Sequence, residues 1–494
     1  MNTHLLALQL MACQGCLGAF DTLYHHELTE ALPGRASAAR ELSIHAVRAL
    51  IYSALFIGLS AWAFHGLWAI VLLLVFAVEI VLTLWDFVVE DQTRLLPATE
   101  RVTHTVLAMN GGAFITLLAL ATPRWLAMPT ALAWQPHGAL GVFLALCGVG
   151  VGVSGLRDGL AARALGKQAR GTAARGTAAR GTAASGAPAP HFGPAGQSFL
   201  VTGATGFIGQ RLVRALVRDG HRVTVLTRRA RQAAWLFDGR VDCVTCLDQL
   251  PSSRRVDVII NLAGARILGW RWTAARRAAL RASRVGLTRS VAAWVASADH
   301  KPAQMLSASA IGYYGVQARG DATVLTESDG PQPIFMSDLC REWEQAAQGA
   351  EAHGVCVARM RFGLVLGTQG ALPMLLLPIK LGLGGPLGGG AQWLSWIHVD
   401  DVIDAMAHLC RERAAGAYNF TAPETLTQAQ FSRVAATVLH RPYGVPTPAW
   451  PMRLALGEQA DLLLEGQRVA PQALTASGFA FRYPTLDAAL RSLA

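Results

Sequence analysis

SFLVTGATGFIG, from Ser198 to Gly209, decides how the middle of this chain folds. A short apolar strand enters a Gly-x-x-Gly-x-x-Gly turn, and QRLVRALVR, residues 210–218, continues with Leu212, Val213, Leu216 and Val217 at helical spacing. Each glycine has its own reason: the first permits a sharp turn, the second lets a diphosphate approach the backbone, and the third lets helix and strand pack closely. The order strand, triplet, helix predicts a dinucleotide turn built from Gly203, Thr205, Gly206, Phe207, Ile208 and Gly209. The alternative is a turn that only serves the packing of some other βαβ unit.

Outward from that turn, HRVTVL (residues 221–226) reads as the second strand and ends at Arg228 and Arg229. An acidic residue there would bond a ribose 2′-hydroxyl, whereas arginine suits a 2′-phosphate, so NADP(H) is expected over NAD(H). A solvated strand end is the plainer reading of the same pair. VDVIINL, from Val256 to Leu262, is a later buried strand that delivers Leu262, Ala263 and Gly264 beneath the cofactor. The fold class expected here is α/β, a Rossmann-type doubly wound parallel sheet with a small C-terminal substrate lobe.

The 494-residue chain is 52% hydrophobic and only 15% charged, and the apolar excess lies before about residue 160. Four stretches, near 44–64, 67–87, 104–122 and 138–156, are long enough to cross a bilayer as helices. A shorter one, Leu5 to Phe20, is read either as a fifth span or as an interfacial helix. Residues 1–166 are therefore expected to form an α-helical transmembrane bundle in contact with membrane lipid. Arg35, Arg40, Arg48, Arg94, Arg101, Arg157, Arg163 and Lys167 fall on one side, against Arg124 on the other, which makes the first side cytoplasmic, with a bacterial inner membrane as the expected location. MNTHLLALQL has no basic opening, which argues against a cleaved signal peptide. The net charge of +11 is scattered without an aromatic-interleaved basic motif, so nucleic acid is not an expected partner. The pairs Cys13/Cys16 and Cys243/Cys246 sit in separate regions, which argues against a shared zinc site. Oligomeric state leaves no mark in the sequence.

The same side of the bundle gathers ionisable residues. His25, His26 and Glu27 precede the first long span, Glu41 and His45 open it, and Glu100 and His104 open the third. Both last pairs are i, i+4, while Glu79, Asp86 and Glu90 share a face of the second span. Glu79, inside IVLLLVFAVEIVLTLW, is costly to bury alone. Glu41, His45, Glu79, Asp86, Glu100 and His104 are the candidate ligands for a metal ion, although the familiar di-iron spacing is Glu-x-x-His rather than Glu-x-x-x-His. The competing reading is a set of interfacial ion pairs with nearby arginines. Residues 167–196, with Ala-Arg-Gly-Thr-Ala in tandem and then Ala-Pro-Ala-Pro, are expected to be a flexible low-complexity linker, leaving 197–494 as the nucleotide-binding domain on the cytoplasmic side.

TGATGFIG, NLAG, an Arg-rich helix after Trp272, SASAIGYYG, RFGLVLG (361–367) and SWIHVDD (395–401) follow one another in order, and LLLEGQRVAPQAL and GFAFRYPTLDAAL close the chain. This set resembles the atypical extended short-chain dehydrogenase/reductases known as epimerase-family, SDR39U1-like proteins, over about three fifths of the chain. The resemblance implies bound NADP(H), a C-terminal substrate lobe and a small-molecule substrate. Active extended reductases carry a serine after the fifth strand, matched by Ser309, and a Tyr-x-x-x-Lys dyad at the start of the next helix. Aligning Glu344 with the glutamate that follows the usual dyad puts Met336 and Cys340 in its place, and the SDR39U1-like family shares that departure. Three outcomes stay open: Tyr313 or Tyr314 replaces the acid, Asp338 or Cys340 takes a new role, or the domain binds NADP(H) without catalysis. His398, Asp400 and Asp401 match the segment linking the lobes, where aspartates more often cap a helix. The run from Gly370 to Trp393 reads as a mobile, apolar lid. The expected function is a membrane-tethered NADP(H)-dependent oxidoreductase or epimerase acting on a carbonyl or hydroxyl compound of apolar character. The other reading is a non-catalytic module that reports redox state to the bundle.

Overall fold

The computed structural model describes residues 3–22, 39–93, 98–178, 191–267, 271–318 and 320–493, and divides into two compact units, Met1–Ser185 and Gly186–Ala494. The first unit is built from α1 (Thr3–Phe20), α2 (Ala39–Ala61), α3 (Leu67–Thr93), α4 (Ala98–Leu126) and α5 (Gly138–Ala178). Two short strands, β1 (Trp62–His65) and β2 (Ala131–Trp134), pair antiparallel where α2 turns into α3 and α4 into α5.

Small residues set how closely α5 approaches α2. A Cβ at Gly141 would meet the Ser60 carbonyl at 2.5 Å, one at Gly148 the Ile57 side chain at 2.7 Å, and one at Gly155 the Ala49 Cβ at 2.8 Å. Backbones that lie this close exchange dispersion contacts that lipid cannot provide. α1 buries His4, Ala7, Leu8 and Met11, and Asn110 of α4 donates to the Leu10 carbonyl at 2.9 Å and to Gln14 Oε1 at 2.7 Å. The shorter N-terminal stretch thus belongs to the bundle.

Among the described residues, five helices are long and apolar enough to cross a membrane: Thr3–Phe20, Arg40–Ala61, Leu67–Glu90, Thr99–Leu126 and Gly138–Leu165. Their outer faces leave Leu74, Val81, Leu84, Leu146 and Val153 exposed, a continuous apolar surface that water does not favour. Helix α4 extends beyond its expected span at both ends, α3 and α5 begin where expected and run on past it, and α2 starts five residues early but stops at Ala61, where the chain enters β1. Helix α5 runs well past the expected span, to Ala178, and so takes up residues 167–178 of the expected linker. Alanine and arginine are strong helix formers and carry the helix through the repeat.

In the second unit β3 (Ser198–Thr202) leads to α6 (Phe207–Arg218), β4 (Arg222–Leu226), α7 (Ala230–Leu236) and β5 (Asp242–Val244). The chain then crosses back to β6 (Val258–Asn261), α8 (Ala274–Arg281), α9 (Leu287–Ser297), β7 (Gln304–Ala310), α10 (Phe335–Gln348) and β8 (Cys356–Phe362). After β9 (Leu364–Leu366), α11 (Leu372–Lys380), β10 (Trp393–Leu394) and β11 (Trp396–His398), helix α12 (Val399–Arg411) delivers β12 (Gly416–Phe420). Seven strands form one parallel sheet in the order β12-β8-β7-β6-β3-β4-β5. The strand order reverses between β3 and β6, and ligands of open α/β sheets bind at the C-terminal side of such a switch point.

The strands are buried on both faces, with Phe199, Val201, Val225 and Ile260 packed against α6 and α12 on one side and Leu200, Ile259 and Met305 against α9 on the other. A separate apolar cluster around Trp396, Phe431, Ala435 and Leu486 forms the smaller lobe. The α/β unit also starts earlier than residue 197. Phe192 is buried with its ring edge-on to Phe199, and Arg411 donates to the His191 carbonyl at 2.6 Å, so 191–196 pack on the sheet rather than extend the linker.

Candidate functional site

The dinucleotide turn lies at the switch point. Gly203 has φ +70°, and a Cβ there would meet the Leu262 carbonyl carbon and oxygen at 2.7 Å, so the loops after β3 and β6 touch through this glycine. A Cβ at Gly209 would lie 2.2 Å from the Gly203 carbonyl oxygen, which is the close helix–strand packing expected of the third glycine. A Cβ at Gly206, by contrast, would meet only the Gly203 oxygen, at 3.2 Å, and the residue is exposed. That leaves bare backbone at the N-terminus of α6, where an anion is favoured. Beneath the turn, the Thr202 hydroxyl donates to Asn261 Oδ1 at 2.6 Å and accepts from the Ala263 amide at 3.1 Å, which fixes the second loop to the first.

Thr205 and Ile208 are half-buried at the turn, and the Phe207 ring packs over Gly367 and Gly370, so the turn also supports the start of the segment expected as a lid. Part of that segment is the helix α11, not loop alone. Arg228 and Arg229 are exposed just past β4. Leu262, Ala263 and Gly264 follow β6, and behind Gly264 the buried Arg284 guanidinium donates to the Ala265 carbonyl at 2.9 Å. Burial lowers the pKa of Arg284. The turn and the loop after β6 therefore meet at the switch point of the sheet, with Arg228 and Arg229 exposed beyond the neighbouring β4.

Two curated relatives and a solved structure share this architecture. Residues 199–420 match the NAD dependent epimerase/dehydratase family, and 447–493 match a domain of unknown function, DUF1731. The chain is 38% identical over 302 residues to the epimerase family protein YfhF of Bacillus subtilis, covering 59% of this chain and 96% of that protein. The chain belongs to this epimerase family. It is also 36% identical over 301 residues to the chloroplastic SDR39U1 homologue of Arabidopsis thaliana, covering 59% of this chain and 85% of that one. The human epimerase family protein SDR39U1, solved with NADPH, superimposes with a TM-score of 0.54 at 30% identity, over 60% of this chain and 99% of that one. These matches lie in the α/β unit, which is an NAD(P)-dependent epimerase-type domain of Rossmann fold.

The two positions aligned with the Tyr-x-x-x-Lys dyad of active extended reductases hold apolar packing here. Met336 and Cys340 are buried on α10 against the turn at Gly312, and burial pushes the Cys340 thiol up to about 12, so it is neither a thiolate nor a cation. Ser309, at the C-terminal end of β7, is buried and donates to Glu344 Oε1 at 2.7 Å. Arg361 of β8 holds the same carboxylate through two bonds, Nε at 2.8 Å and Nη2 at 2.9 Å. The Tyr314 hydroxyl accepts from Arg361 at 2.9 Å and donates to Asn419 at 2.8 Å, and burial raises its pKa to about 12.

The Tyr314 hydroxyl therefore ties the turn after β7 to β8 and β12. Tyr313 is half-buried, with the Arg361 guanidinium 3.6 Å from its ring centroid. Asp338 is paired with Arg341 at 2.8 Å on the outer face of α10. His398 accepts the Asp400 amide at 3.1 Å, Asp400 meets Arg211 at 2.8 Å, and Asp401 accepts the amides of Arg482 and Tyr483, so all three hold α12 and the C-terminal segment. Glu344 and Arg361 stand in the motifs read from the sequence, but their pairing was not legible there. In CVARMRF both Met360 and Arg361 are buried, so no alternation along β8 marks Arg361 or points to its partner.

In the bundle, ligand atoms of Glu41, His45 and Glu90 lie within 4.8 Å of one another, as do those of Glu90, Glu100 and His104. His25, His26 and Glu27 lie outside the described residues. Glu79 is not with that group. It accepts from Arg48 at 3.2 Å and from the Thr83 hydroxyl at 2.7 Å, since it sits three turns, about 16 Å along the helix axis, before Glu90. Asp86 sits between the two sets, 2.6 Å from Arg48 and 3.1 Å from His45. Glu90, which shares a helical face with both, has carboxylate oxygens near the donor atoms of both the Glu41/His45 and the Glu100/His104 pairs. Cys13 and Cys16 lie on α1 in the first unit, and Cys243 and Cys246 in and after β5 in the second.

Proposed function

We propose that the α/β unit binds NADP(H) and works as a membrane-tethered oxidoreductase of the atypical short-chain type, acting on a small carbonyl or hydroxyl compound of apolar character. The observation that carries the cofactor is the open turn at Gly206 together with Arg228 and Arg229 exposed beyond β4. A 2′-phosphate is the group those guanidinium side chains suit, and the human relative was solved with NADPH. When bound, the nicotinamide supplies hydride transfer. The chain's own part is to position the diphosphate on the α6 N-terminus and to supply a proton from Tyr313, the tyrosine beside Ser309 whose hydroxyl no other described residue engages.

Among the described residues, five apolar helices support a membrane anchor, and the bias of basic residues favours a cytoplasmic side for the α/β unit at a bacterial inner membrane. Met374, Leu381 and Leu383, exposed on and after α11, favour an apolar substrate over a sugar. The test is NADPH and NADH binding to the detergent-purified chain, followed by NADPH oxidation against a panel of apolar aldehydes, ketones and quinones. Expected are tighter NADPH binding and a turnover that Tyr313→Phe removes while binding stays. Equal affinity for both cofactors, or an undiminished Tyr313→Phe, would sink this reading.

A second reading is favoured by Met336, Cys340 and the engaged Ser309: a cofactor-binding module without a proton relay. NADPH binding with no oxidation by any compound of the panel is its signature.

A further inference from the structure

The bundle contains a cluster that nucleotide chemistry does not use. Glu41 and His45 open α2, Glu100 and His104 open α4, and Glu90 lies near the end of α3, so three helices bring five donors to one end of the unit. The donors form two triads, Glu41/His45/Glu90 and Glu90/Glu100/His104, and Glu90 is common to both. Glu41, Glu90 and Glu100 are each 0% exposed. From this geometry we infer a dinuclear centre: two divalent first-row transition-metal ions, one in each triad, bridged by the Glu90 carboxylate.

Size agrees with that inference. For metal–ligand bonds of about 2.1 Å, donors on opposite sides of one ion stand about 4.2 Å apart, so triads whose atoms lie within 4.8 Å close by small side-chain shifts. The donor types agree as well, because imidazole with carboxylate suits iron, manganese, cobalt or zinc better than the oxygen-only preference of calcium or magnesium. Helical bundles hold metal pairs by repeating one Glu/His motif on two helices and adding bridging carboxylates from others. Here the repeated motif is Glu-x-x-x-His, on α2 and α4.

Among the described residues this end of the bundle buries Asp21, Glu41, Glu79, Asp86, Glu90 and Glu100. Arg48 is engaged by Asp86 at 2.6 Å and Glu79 at 3.2 Å, outside the triads. The outer contacts fit ligation too. His104 Nε2 faces Asp21 at 3.2 Å while its Nδ1 faces Glu90 at 3.3 Å, the arrangement in which a carboxylate orients a metal-bound imidazole. Asp86 Oδ1 is buried beside His45 without a hydrogen-bond partner among the described residues.

The experiment uses the full chain in detergent, stripped with a chelator, loaded separately with Mn²⁺, Fe²⁺, Co²⁺ or Zn²⁺, desalted, and counted by plasma mass spectrometry. Expected is about two ions per chain for at least one metal, with exchange-coupled electron paramagnetic resonance in the Mn²⁺-loaded sample, as a bridging carboxylate requires. Glu90→Gln should lose both the coupling and at least one ion. Glu79→Gln, outside the triads, should keep both. Size exclusion and NADPH binding by the other unit check that each variant is folded. Substoichiometric metal in folded wild type, one uncoupled ion per chain, or equal metal in Glu90→Gln and wild type would each overturn the inference.

Discussion

Ser309 donates its hydroxyl to Glu344 at 2.7 Å, and the same carboxylate oxygen accepts Arg361 Nε at 2.8 Å. The serine at the end of β7 is thereby tied to a buried ion pair whose side chains are 4% and 5% exposed. A charge pair this deep costs desolvation, and holds only while each member keeps its partner. Arg361 also carries the Tyr314 hydroxyl, so one guanidinium joins β8 to α10 and to the turn after β7.

Breaking that pair is expected to hurt stability more than losing the serine. Glu344→Gln should destabilise by about 3–5 kcal/mol because it strands a buried cation, whereas Ser309→Ala should cost about 1.5–3 kcal/mol, the worth of one hydrogen bond to a charged group. Thermal melts of the α/β unit in the full chain, followed by tryptophan fluorescence, check the ranking. Equal shifts would mean that the ion pair carries no special burden.

The adjacent tyrosines should separate cleanly. Tyr314→Phe removes one hydrogen bond from Asn419 Oδ1 and one from Arg361 Nη1, at a cost of about 1–3 kcal/mol, with NADPH binding intact. Tyr313→Phe should leave the melting temperature within a degree or so of wild type and remove turnover. Steady-state kinetics on both variants reads this directly. Turnover lost only in folded Tyr314→Phe would reverse the assignment.

Cofactor preference should follow Arg228 and Arg229. Replacing both with alanine is expected to weaken NADPH binding about 10- to 100-fold, the worth of one or two charge-assisted bonds, and to leave NADH unchanged. Gly209→Ala should abolish both, since its Cβ would stand 2.2 Å from the Gly203 oxygen and 2.7 Å from the Ala204 Cα. Fluorescence titration with the two nucleotides discriminates these outcomes.

His398 should make stability fall toward acid. Burial lowers its pKa from about 6.5 to about 4, so its contribution is complete above pH 6.5 and is lost as pH falls toward 4. The full effect is on the order of 3 kcal/mol. Asp401 acts in the opposite sense: burial raises it to about 6, so its contribution is present below about 4 and is lost as pH rises through 6. Melting curves of wild type and His398→Asn between pH 4 and 7 should diverge, with the variant less sensitive to acid. Parallel curves would show that His398 does not govern the acid limb.

By itself the sequence determined the parts whose causes are local. The three glycines require a strand, a turn and a helix in that order, because only glycine fits φ +70° at Gly203 and the close approach at Gly209. Hydropathy over a helix length marked the apolar segments of the bundle, since each must be apolar along its own span whatever packs beside it. Glu-x-x-x-His on α2 and α4 was likewise readable, because one helix puts i and i+4 on one face.

What only the tertiary structure decided are the meetings between distant elements. Ser309 and Glu344 are 35 residues apart, and nothing local to either says that the hydroxyl will be spent on that carboxylate. Tyr313 and Tyr314 are neighbours in sequence, yet the twist of one turn sends the second into Asn419 and leaves the first half-buried. Glu79 and Glu90 share a helical face, but about 16 Å of rise between them puts Glu79 opposite Arg48 and Glu90 between two histidines. Spacing along one element says which way a side chain faces, and packing alone says what it meets there.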